Sequence, residues 1–320
     1  MDMSPFPWLK DKPDTFQYHL ENDTGDFETY TRKKRLDLGE SLLKIRRIYL
    51  DTKYWLYVRD VYLNRSKNPL HGEIVNELRR LRDSGSTICP VSYSIFSELL
   101  YQSDPVTRNA TAEMIDELSD GCTIQPPHEV FRRELIHFVT KMNSEGVELY
   151  EIDQMVWTKA VFILGDRFLS LEGSPFSPKH ALAIRKTMDD LFWSISLSEI
   201  LGQWPLSDRN KQESNIELAE ALTDGKFEHR KQSGSFEKLF LDEVQGVLDG
   251  HRSILGSFAV HLGQKNGLEG NLSKNEISQL GNILGRQLWG GYKYKRISTE
   301  LPSISIPSSL TCLKNLYQVL

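Results

Sequence analysis

The sequence lacks the short motifs that mark several common kinds of functional site. It has no GxxxxGK(S/T) loop and no GxGxxG motif after a strand, so neither common type of nucleotide site is predicted. It has no HExxH motif, and its histidines are scattered without zinc-ligand spacing. A GxSxG nucleophile elbow is absent as well. These absences argue against the commonest nucleotide, zinc and serine-hydrolase sites.

Cysteine is scarce, and so are long apolar runs. The three cysteines, Cys89, Cys122 and Cys312, are far apart and form no CxxC pair. This usage fits a reducing cytosol and argues against a disulfide framework or a zinc knuckle. The N-terminus has neither the basic start nor the apolar core of a signal peptide, and no run approaches the roughly 18 apolar residues that span a bilayer. We therefore expect a cytoplasmic protein without membrane contact.

Positive charge is not in excess either. The formal net charge of the 320 residues is -5 and the pI is about 6.0, so any nucleic-acid contact requires a local basic patch. The hydrophobic share of 39% and the charged share of 26% are ordinary for a globular protein with room for two domains.

The chain begins with two regions of different pattern. Residues 1–44 are polar and acidic, and we interpret them as an extension that wraps or frays, in which the basic run 32–35 forms a solvated turn. Residues 45–140 alternate short apolar runs with helical patterns. The apolar runs lie at 48–50, 86–89 and 122–125. Helices that join strands in this order predict an α/β fold with a parallel sheet.

The rest of the chain, residues 141–320, is predicted to be mostly helical. Apolar residues at three- and four-residue spacing predict helices over 128–142, 151–171, 179–201 and 236–262. Ser273 and Glu276 form a capping box at the start of another helix. The last helical pattern still runs at Leu320 without a closing signal, so the chain either stops inside a larger architecture or ends in a docked helix.

Two carboxylates carry the clearest chemical signal. Asp51 follows the apolar run 48–50 and precedes a helical pattern, where open α/β sheets place their ligands. Glu98 lies on a later helix with Ser94 one turn before it, and Thr52 is the hydroxyl nearest to Asp51. Carboxylates from separate elements can bind one Mg²⁺ or Mn²⁺ ion, which activates a water for attack on phosphorus. In the simpler alternative, Asp51 caps a helix and Glu98 is a solvated surface acid.

These two segments resemble the first two elements of the PIN-domain nuclease superfamily. Residues 48–52 are similar to its opening strand, and residues 91–100 are similar to the hydroxyl-rich lead and helical Glu-Leu of its second element. The resemblance covers about residues 45–140. It implies a PIN-like three-layer core with a parallel sheet, followed by a large, mostly α-helical insertion or domain.

The resemblance also implies a function. Asp51 and Glu98 would bind Mg or Mn in a metal-dependent nuclease, with Ser94 and Thr52 in support and RNA favoured over DNA as the substrate. Lys53 departs from the family pattern, which commonly has Asn, Ser or Thr two residues after the first Asp.

PIN nucleases supply two further acids from later elements, and these are not identified in the sequence. Asp189 and Asp190 are the most visible downstream pair, although the polar side of an amphipathic helix explains them more simply. The missing acids would then lie beyond Leu320. Without them, the contrasting hypothesis is a catalytically inactive PIN-like and helical scaffold that binds a protein partner or a second copy of the chain.

Two further patterns bear on RNA. Arg132 and His137 have the RxxxxH spacing that resembles the metal-independent HEPN ribonucleases, in which these residues support attack by the RNA 2′-hydroxyl. The run 286–296 carries four basic and three aromatic residues without an acid, as expected of a surface that stacks bases and binds phosphates. Its candidate contacts are Trp289, Tyr292, Lys293, Lys295 and Arg296. A Gly-Gly turn before a hairpin-like strand explains the same residues more simply.

Overall fold

The computed structural model describes residues 12–22, 25–143, 152–166, 170–171, 173–203, 235–265, 272–294 and 301. The chain divides into two units, one from Met1–Pro126 with Tyr150–Gln212 and one from Pro127–Leu149 with Glu213–Leu320. The sequence-based boundary near residue 140 differs from this division, because residues 150–212 return to the first unit. The helical pattern predicted at the end of the chain lies outside the described residues.

Most of the described chain is helical, and short strands lie between the early helices. In chain order the helices are α1 (Phe16–Glu21), α2 (Phe27–Leu42), α3 (Thr52–Tyr62), α4 (Pro69–Asp83), α5 (Tyr93–Leu100), α6 (Pro105–Ser119), α7 (Pro127–Asn143), α8 (Ile152–Met155), α9 (Pro178–Ser194), α10 (Leu197–Gln203), α11 (Phe236–Gly250), α12 (Arg252–Lys265) and α13 (Lys274–Lys293). The strands are β1 (Arg46–Arg47), β2 (Thr87–Ile88), β3 (Cys122–Ile124) and β4 (Trp157–Lys159), and a 3₁₀ helix spans Ala160–Leu164. Helices α7 and α11 to α13 belong to the second unit.

The strands of the first unit pair in two short ladders. β1 and β2 are parallel, with Arg46 opposite Thr87. A parallel bridge between Val91 and Thr123 joins the chain after β2 to β3, and β3 pairs with β4 in antiparallel fashion, with Thr123 opposite Thr158. The predicted parallel pairing is confirmed for β1 and β2, whereas β3, which was predicted to join the same sheet, forms its ladder with β4 in antiparallel fashion. The predicted large helical region is confirmed. The three-layer PIN-like core stays a prediction.

Helix α6 organises the main core of the first unit. Asp104 caps it by accepting two backbone N–H groups of its first turn, and Pro105 is its first residue, as the sequence predicted. Its apolar side packs with α3, α4 and α5. Fully buried members of this core include Trp55, Phe96, Leu99, Met114, Ile115 and Leu118. Burial of each such side chain stabilises the fold by roughly 1.5–3 kcal/mol, so the core fixes the helices that follow β1 and β2.

The N-terminal region wraps onto the first unit as helices. Helix α2 packs against α8 and α9, and its basic run 32–35 is not a solvated turn. Lys34 and Arg35 keep only 17% and 4% of their side chains exposed, and they pair with Asp189 and Asp166. The prediction of a solvated turn is wrong, because Lys34 and Arg35 lie on the side of α2 that packs against the protein. Their acidic partners, Asp189 and Asp166, are far away in the sequence.

Two of the predicted helices are different in the structure. The pattern at 151–171 is α-helical only in the short α8, and β4 and a 3₁₀ helix follow it, because pairing with the distant strand β3 overrides local preference. The pattern at 179–201 breaks into α9 and α10 at Ser196, whose N–H donates to the Glu199 carboxylate while the Glu199 N–H donates to the Ser196 hydroxyl. This capping box is a signal that the sequence contains.

The second unit is built from helices that approach closely at glycines. The predicted helix 236–262 is interrupted after Gly250, so that α11 and α12 are separate. A Cβ at Gly281 of α13 would lie 2.0 Å from the carbonyl oxygen of Arg252, which shows how closely α12 and α13 approach. Their core includes Phe131, Leu135, Val244, Leu248, Leu255 and Leu288. None of the helices in the described ranges is both long and apolar enough to cross a membrane.

Candidate metal site at the ends of two parallel strands

Asp51 lies directly after the extended segment that follows β1. Exposure alternates along this segment: Ile48 and Leu50 are half-buried, whereas Tyr49 and Asp51 are exposed. The strand was predicted over the apolar run 48–50, but β1 lies before it at Arg46–Arg47. Ile48 still continues the ladder, since its N–H donates to the carbonyl oxygen of Ile88 at 3.0 Å. Asp51 is therefore exposed three residues beyond the last ladder hydrogen bond of β1, toward the carboxyl edge at which open α/β sheets bind ligands.

The Asp51 carboxylate does not cap α3, although Asp51 occupies the N-cap position. The Asp51 carbonyl oxygen accepts the N–H groups of Tyr54 and Trp55 at 2.8 and 3.2 Å, but no side-chain cap hydrogen bond forms. An N-cap side chain usually stabilises its helix by about 1 kcal/mol through such a bond. The simpler alternative, in which Asp51 serves as a cap, is therefore not supported by the geometry.

Glu98 lies on α5, which begins beside the end of β1. The hydroxyl groups of Tyr49 and Ser92, the N-cap residue of α5, are 2.9 Å apart. This hydrogen bond joins the segment that leads into Asp51 to the segment that leads into α5. Ser94 and Glu98 are both exposed, one turn apart. Within the described part of the chain, no hydrogen bond or ion pair engages either of their side chains.

Thr52 does not present its hydroxyl beside the two carboxylates. The Thr52 Oγ1 atom is buried and has no hydrogen-bond partner among the described residues. Its neighbour Lys53 is exposed, and the Lys53 Nζ lies 5.8 Å from the centre of the Tyr57 ring. The covered position of the Thr52 hydroxyl weakens its predicted supporting role.

Two exposed carboxylates form an incomplete set of ligands for a divalent ion. Mg²⁺ keeps several waters and needs only one or two protein carboxylates when a substrate phosphate supplies further oxygens. In the described ranges, no group of three or more His, Cys, Asp or Glu side chains is arranged to hold a metal. Asp51 and Glu98 alone would leave most positions around such an ion to water and phosphate oxygens.

Tyrosines adjacent in sequence to these residues are exposed, a feature that the sequence analysis missed. Tyr49, Tyr54 and Tyr93 expose 52%, 54% and 40% of their surfaces. Tyr49 shares the exposed side of the extended segment with Asp51, and the two-residue alternation of the segment is the signal that identifies it. Exposed aromatic rings stack on unpaired bases, so these side chains suit a single-stranded nucleic acid.

The other acidic pair, Asp189 and Asp190, is occupied by contacts with the N-terminal helices. Lys34 donates to both carboxylates at 2.7 Å. Asp190 also accepts hydrogen bonds from Thr15 Oγ1 at 2.6 Å, His19 Nε2 at 2.8 Å and the Tyr30 hydroxyl at 2.5 Å. Burial opposes the ionisation of Asp190, but these donors outweigh it and hold the pKa of Asp190 at about 2. Burial raises the pKa of Asp189. Asp189 and Asp190 are therefore buried acids that pair with side chains of the N-terminal helices, and they do not form a solvated helix face.

In the second unit, the Gly-Gly pair of the basic and aromatic run 286–296 lies within a helix and not in a turn. Helix α13 continues through the Gly-Gly pair to Lys293. Tyr292 is only 2% exposed, and its hydroxyl donates to the carbonyl oxygen of Leu301 at 3.0 Å. The Tyr292 ring therefore packs in the core of the unit and offers no face to a base.

The other predicted contacts of this run differ in their exposure. Trp289 is half-buried, and Lys293 is exposed with its Nζ 5.1 Å from the centre of the Trp289 ring. Lys295 and Arg296 lie outside the described residues. Trp289 and Lys293 are thus the members of the predicted set that the structure brings together.

Arg132 and His137 both lie on α7. Five residues along an α-helix correspond to a rotation of roughly 140°, so the two side chains leave different faces of the helix. Arg132 also donates to the Glu129 carboxylate at 2.8 Å. Helix α7 therefore does not bring the arginine and the histidine together within one chain.

The chain matches no protein-family model, no curated protein and no solved structure in the three comparisons made. Arguments about function therefore rest on the residues themselves. Among the predicted groups, Asp51 and Glu98 are both exposed; Asp51 follows the extended segment after β1, and Glu98 lies within α5.

Proposed function

We propose that the first unit is a metal-dependent nuclease that hydrolyses phosphodiester bonds, with RNA as the favoured substrate. The proposal is carried by the Asp51 carboxylate, which is exposed after the segment that follows β1 and makes no capping hydrogen bond to α3. The Tyr49–Ser92 hydrogen bond, which ties this segment to the start of the helix that bears Glu98, supports it further. The order of these elements also resembles that of PIN nucleases.

In this proposal, Asp51 and Glu98 bind the divalent ion, and Ser94 orients Glu98 or contacts a phosphate oxygen. A bound Mg²⁺ or Mn²⁺ ion polarises a phosphoryl oxygen and lowers the pKa of a water. In the overall reaction, the water oxygen bonds to phosphorus, the bond to the leaving sugar oxygen breaks, and a proton passes to that oxygen. The exposed rings of Tyr49 and Tyr93 stack on neighbouring bases.

Manganese titration and cleavage of a labelled single-stranded RNA by the full-length chain test this proposal. We expect Asp51→Asn and Glu98→Gln each to weaken manganese binding and to slow RNA cleavage by more than about 100-fold. Loss of even an outer contact of a metal ligand lowers metal affinity or activity by about 10- to 100-fold. Asp37→Asn and Glu73→Gln are matched controls, because they neutralise exposed acids of the same unit. Equal loss in the controls would contradict a specific site.

Two other outcomes favour different functions. No manganese binding and no cleavage by the full-length chain would favour the catalytically inactive scaffold. Cleavage that survives a chelator and disappears in His137→Ala would favour the HEPN-type alternative, for which the spacing from Arg132 is the supporting observation. A cytoplasmic location and a protein partner stay predictions from the sequence.

A further inference from the structure

The second unit contains a polar groove between α11, the start of α12 and one side of α13. Its volume is about 440 Å³, which lies within the range of about 300–1,000 Å³ found for small-molecule sites. Its polar and aromatic lining consists of Gln245, Asp249, Arg252, Asn282, Arg286 and Trp289. Small-molecule sites are usually lined mainly by apolar groups with a few polar ones, so the mostly polar lining of this groove favours a polar or charged ligand.

One face of α13 produces this groove. Asn282, Gly285, Arg286 and Trp289 follow the helical pattern i, i+3, i+4, i+7, so they share one face. In an ordinary helix pair such a face is apolar and filled. Here Gly285 has no side chain, and a Cβ at that position would make only an ordinary contact with Leu255 at 3.5 Å. The face therefore leaves open space lined by polar groups.

The charge in the groove favours an anion. Asp249 is the one acid among its described lining residues, against the two guanidinium groups of Arg252 and Arg286. The Asp249 carboxylate forms an exposed ion pair with Arg252 Nη2 at 3.7 Å, a distance too long for a hydrogen bond, so this pair leaves the Arg252 N–H groups able to donate to a ligand. Within the described ranges, no hydrogen bond or ion pair occupies the Arg286 side chain. Arginine forks match phosphate geometry and bind it with two parallel hydrogen bonds.

An aromatic ring in a fixed orientation lies beside these arginines. The Trp289 Nε1–H donates to the carbonyl oxygen of Leu241 at 3.2 Å, so the indole is held in place. Arg286 precedes Trp289 by three residues on the same face of α13, and such residues are neighbours on a helix. The Lys293 ammonium, 5.1 Å from the centre of the indole ring, adds further positive charge.

We propose that this groove binds a nucleotide, with the phosphate on Arg286 and Arg252 and the base packed on Trp289. Asn282 also lines the groove, one turn before Arg286 on the same face of α13. A free mononucleotide and one nucleotide of a single strand carry the same chemistry. The site is independent of the proposed nuclease activity, because Asp51 and Glu98 belong to the other unit.

Calorimetric titration of the full-length chain with adenosine monophosphate, and separately with a short oligoadenylate, tests the proposal. We expect saturable binding that Arg286→Gln weakens at least about tenfold, since a hydrogen bond to a charged group contributes about 1.5–3 kcal/mol. Arg286→Lys should retain part of the affinity. Lys274→Gln is the matched control, because it removes the same charge from an exposed position of the same helix and should leave binding unchanged.

The arms of the titration separate the sources of the ligand. Binding of adenosine monophosphate supports a free nucleotide, and binding of the oligoadenylate alone supports a nucleotide within a strand. Binding of neither probe overturns the proposal. Inorganic phosphate that binds as tightly as adenosine monophosphate, or an equal loss in Lys274→Gln and Arg286→Gln, also overturns it. In those cases no base contacts Trp289, or the attraction is only a general effect of charge.

Discussion

The replacement Asp190→Asn tests whether a buried acid of α9 holds the N-terminal helices in place. Asp190 keeps 13% of its side chain exposed and accepts hydrogen bonds from donors on or before α1 and on α2. The donors are Thr15, His19, Tyr30 and Lys34. An asparagine keeps one acceptor oxygen and turns an amide N–H₂ group toward some of these donors. We therefore expect the substitution to destabilise the first unit.

The pKa of Asp190 gives the size of the effect and its dependence on pH. Its folded value of about 2, against an ordinary value of 3.8, corresponds to about 2 kcal/mol of stability near neutral pH after allowance for solvent screening. A carboxylate whose pKa is lower in the folded state contributes this stability above its ordinary pKa and loses it as the pH falls toward the folded pKa. About half of the contribution, roughly 1 kcal/mol, should remain at pH 3.

Urea unfolding followed by circular dichroism, at pH 6 and at pH 3, measures this difference. The gap in unfolding free energy between the wild type and Asp190→Asn should shrink by about 1 kcal/mol between the two pH values. Asp37→Asn removes the same negative charge at an exposed position of α2. Its unfolding free energy should match that of the wild type at both pH values. A gap that is the same at both pH values would refute the reasoning, because the loss would then come from packing and not from the charge.

Two further predictions concern packing and thiol burial. A Cβ at Gly39 would lie 2.1 Å from the carbonyl oxygen of Gln154, so Gly39→Ala should destabilise the first unit by about 1–3 kcal/mol in thermal unfolding. Gly72→Ala is the control: it has open space around it on α4 and should be neutral or stabilising by up to about 1 kcal/mol, whereas equal losses would contradict the reasoning. Burial raises the pKa of Cys89 to about 11 and that of Cys122 to about 12. Peptide mapping after alkylation at pH 8 should find both thiols unmodified until urea is added, and labelling of the folded chain would contradict their burial.

Elements with local signals could be predicted from the sequence, and elements that depend on distant partners could not. The Asp104-Pro105 start of α6 and the capping box at Ser273 both occur where the sequence indicates them. Strand β4 was missed because its backbone partners lie on β3, far away in the sequence. The Lys34–Asp190 ion pair joins residues 156 positions apart, and no local pattern specifies such a contact.

The same division between local and distant contacts applies to the candidate metal site. The exposure of Asp51 after an extended segment follows from the apolar run before it, because side-chain alternation is a local property. The strand itself ends earlier than predicted, at Arg47. The hydrogen bond between Tyr49 and Ser92 depends on the parallel register of β1 and β2, which the sequence does not specify. The covered hydroxyl of Thr52 and the buried ring of Tyr292 depend on tertiary packing in the same way.

The other aspartates that begin helices in the described chain show what is unusual about Asp51. Asp26 accepts the backbone N–H of Thr29 at 2.7 Å, and Asp104 accepts that of Val106 at 3.2 Å; hydrogen bonds lower the pKa of both carboxyls. Asp51 has the same residue type, the same N-cap position and a similar extended backbone, yet its carboxylate makes no such bond. Helix α3 therefore lacks about 1 kcal/mol of capping energy that α2 and α6 have. A ligand-binding role gives a reason for this cost, whereas a solvated surface acid does not.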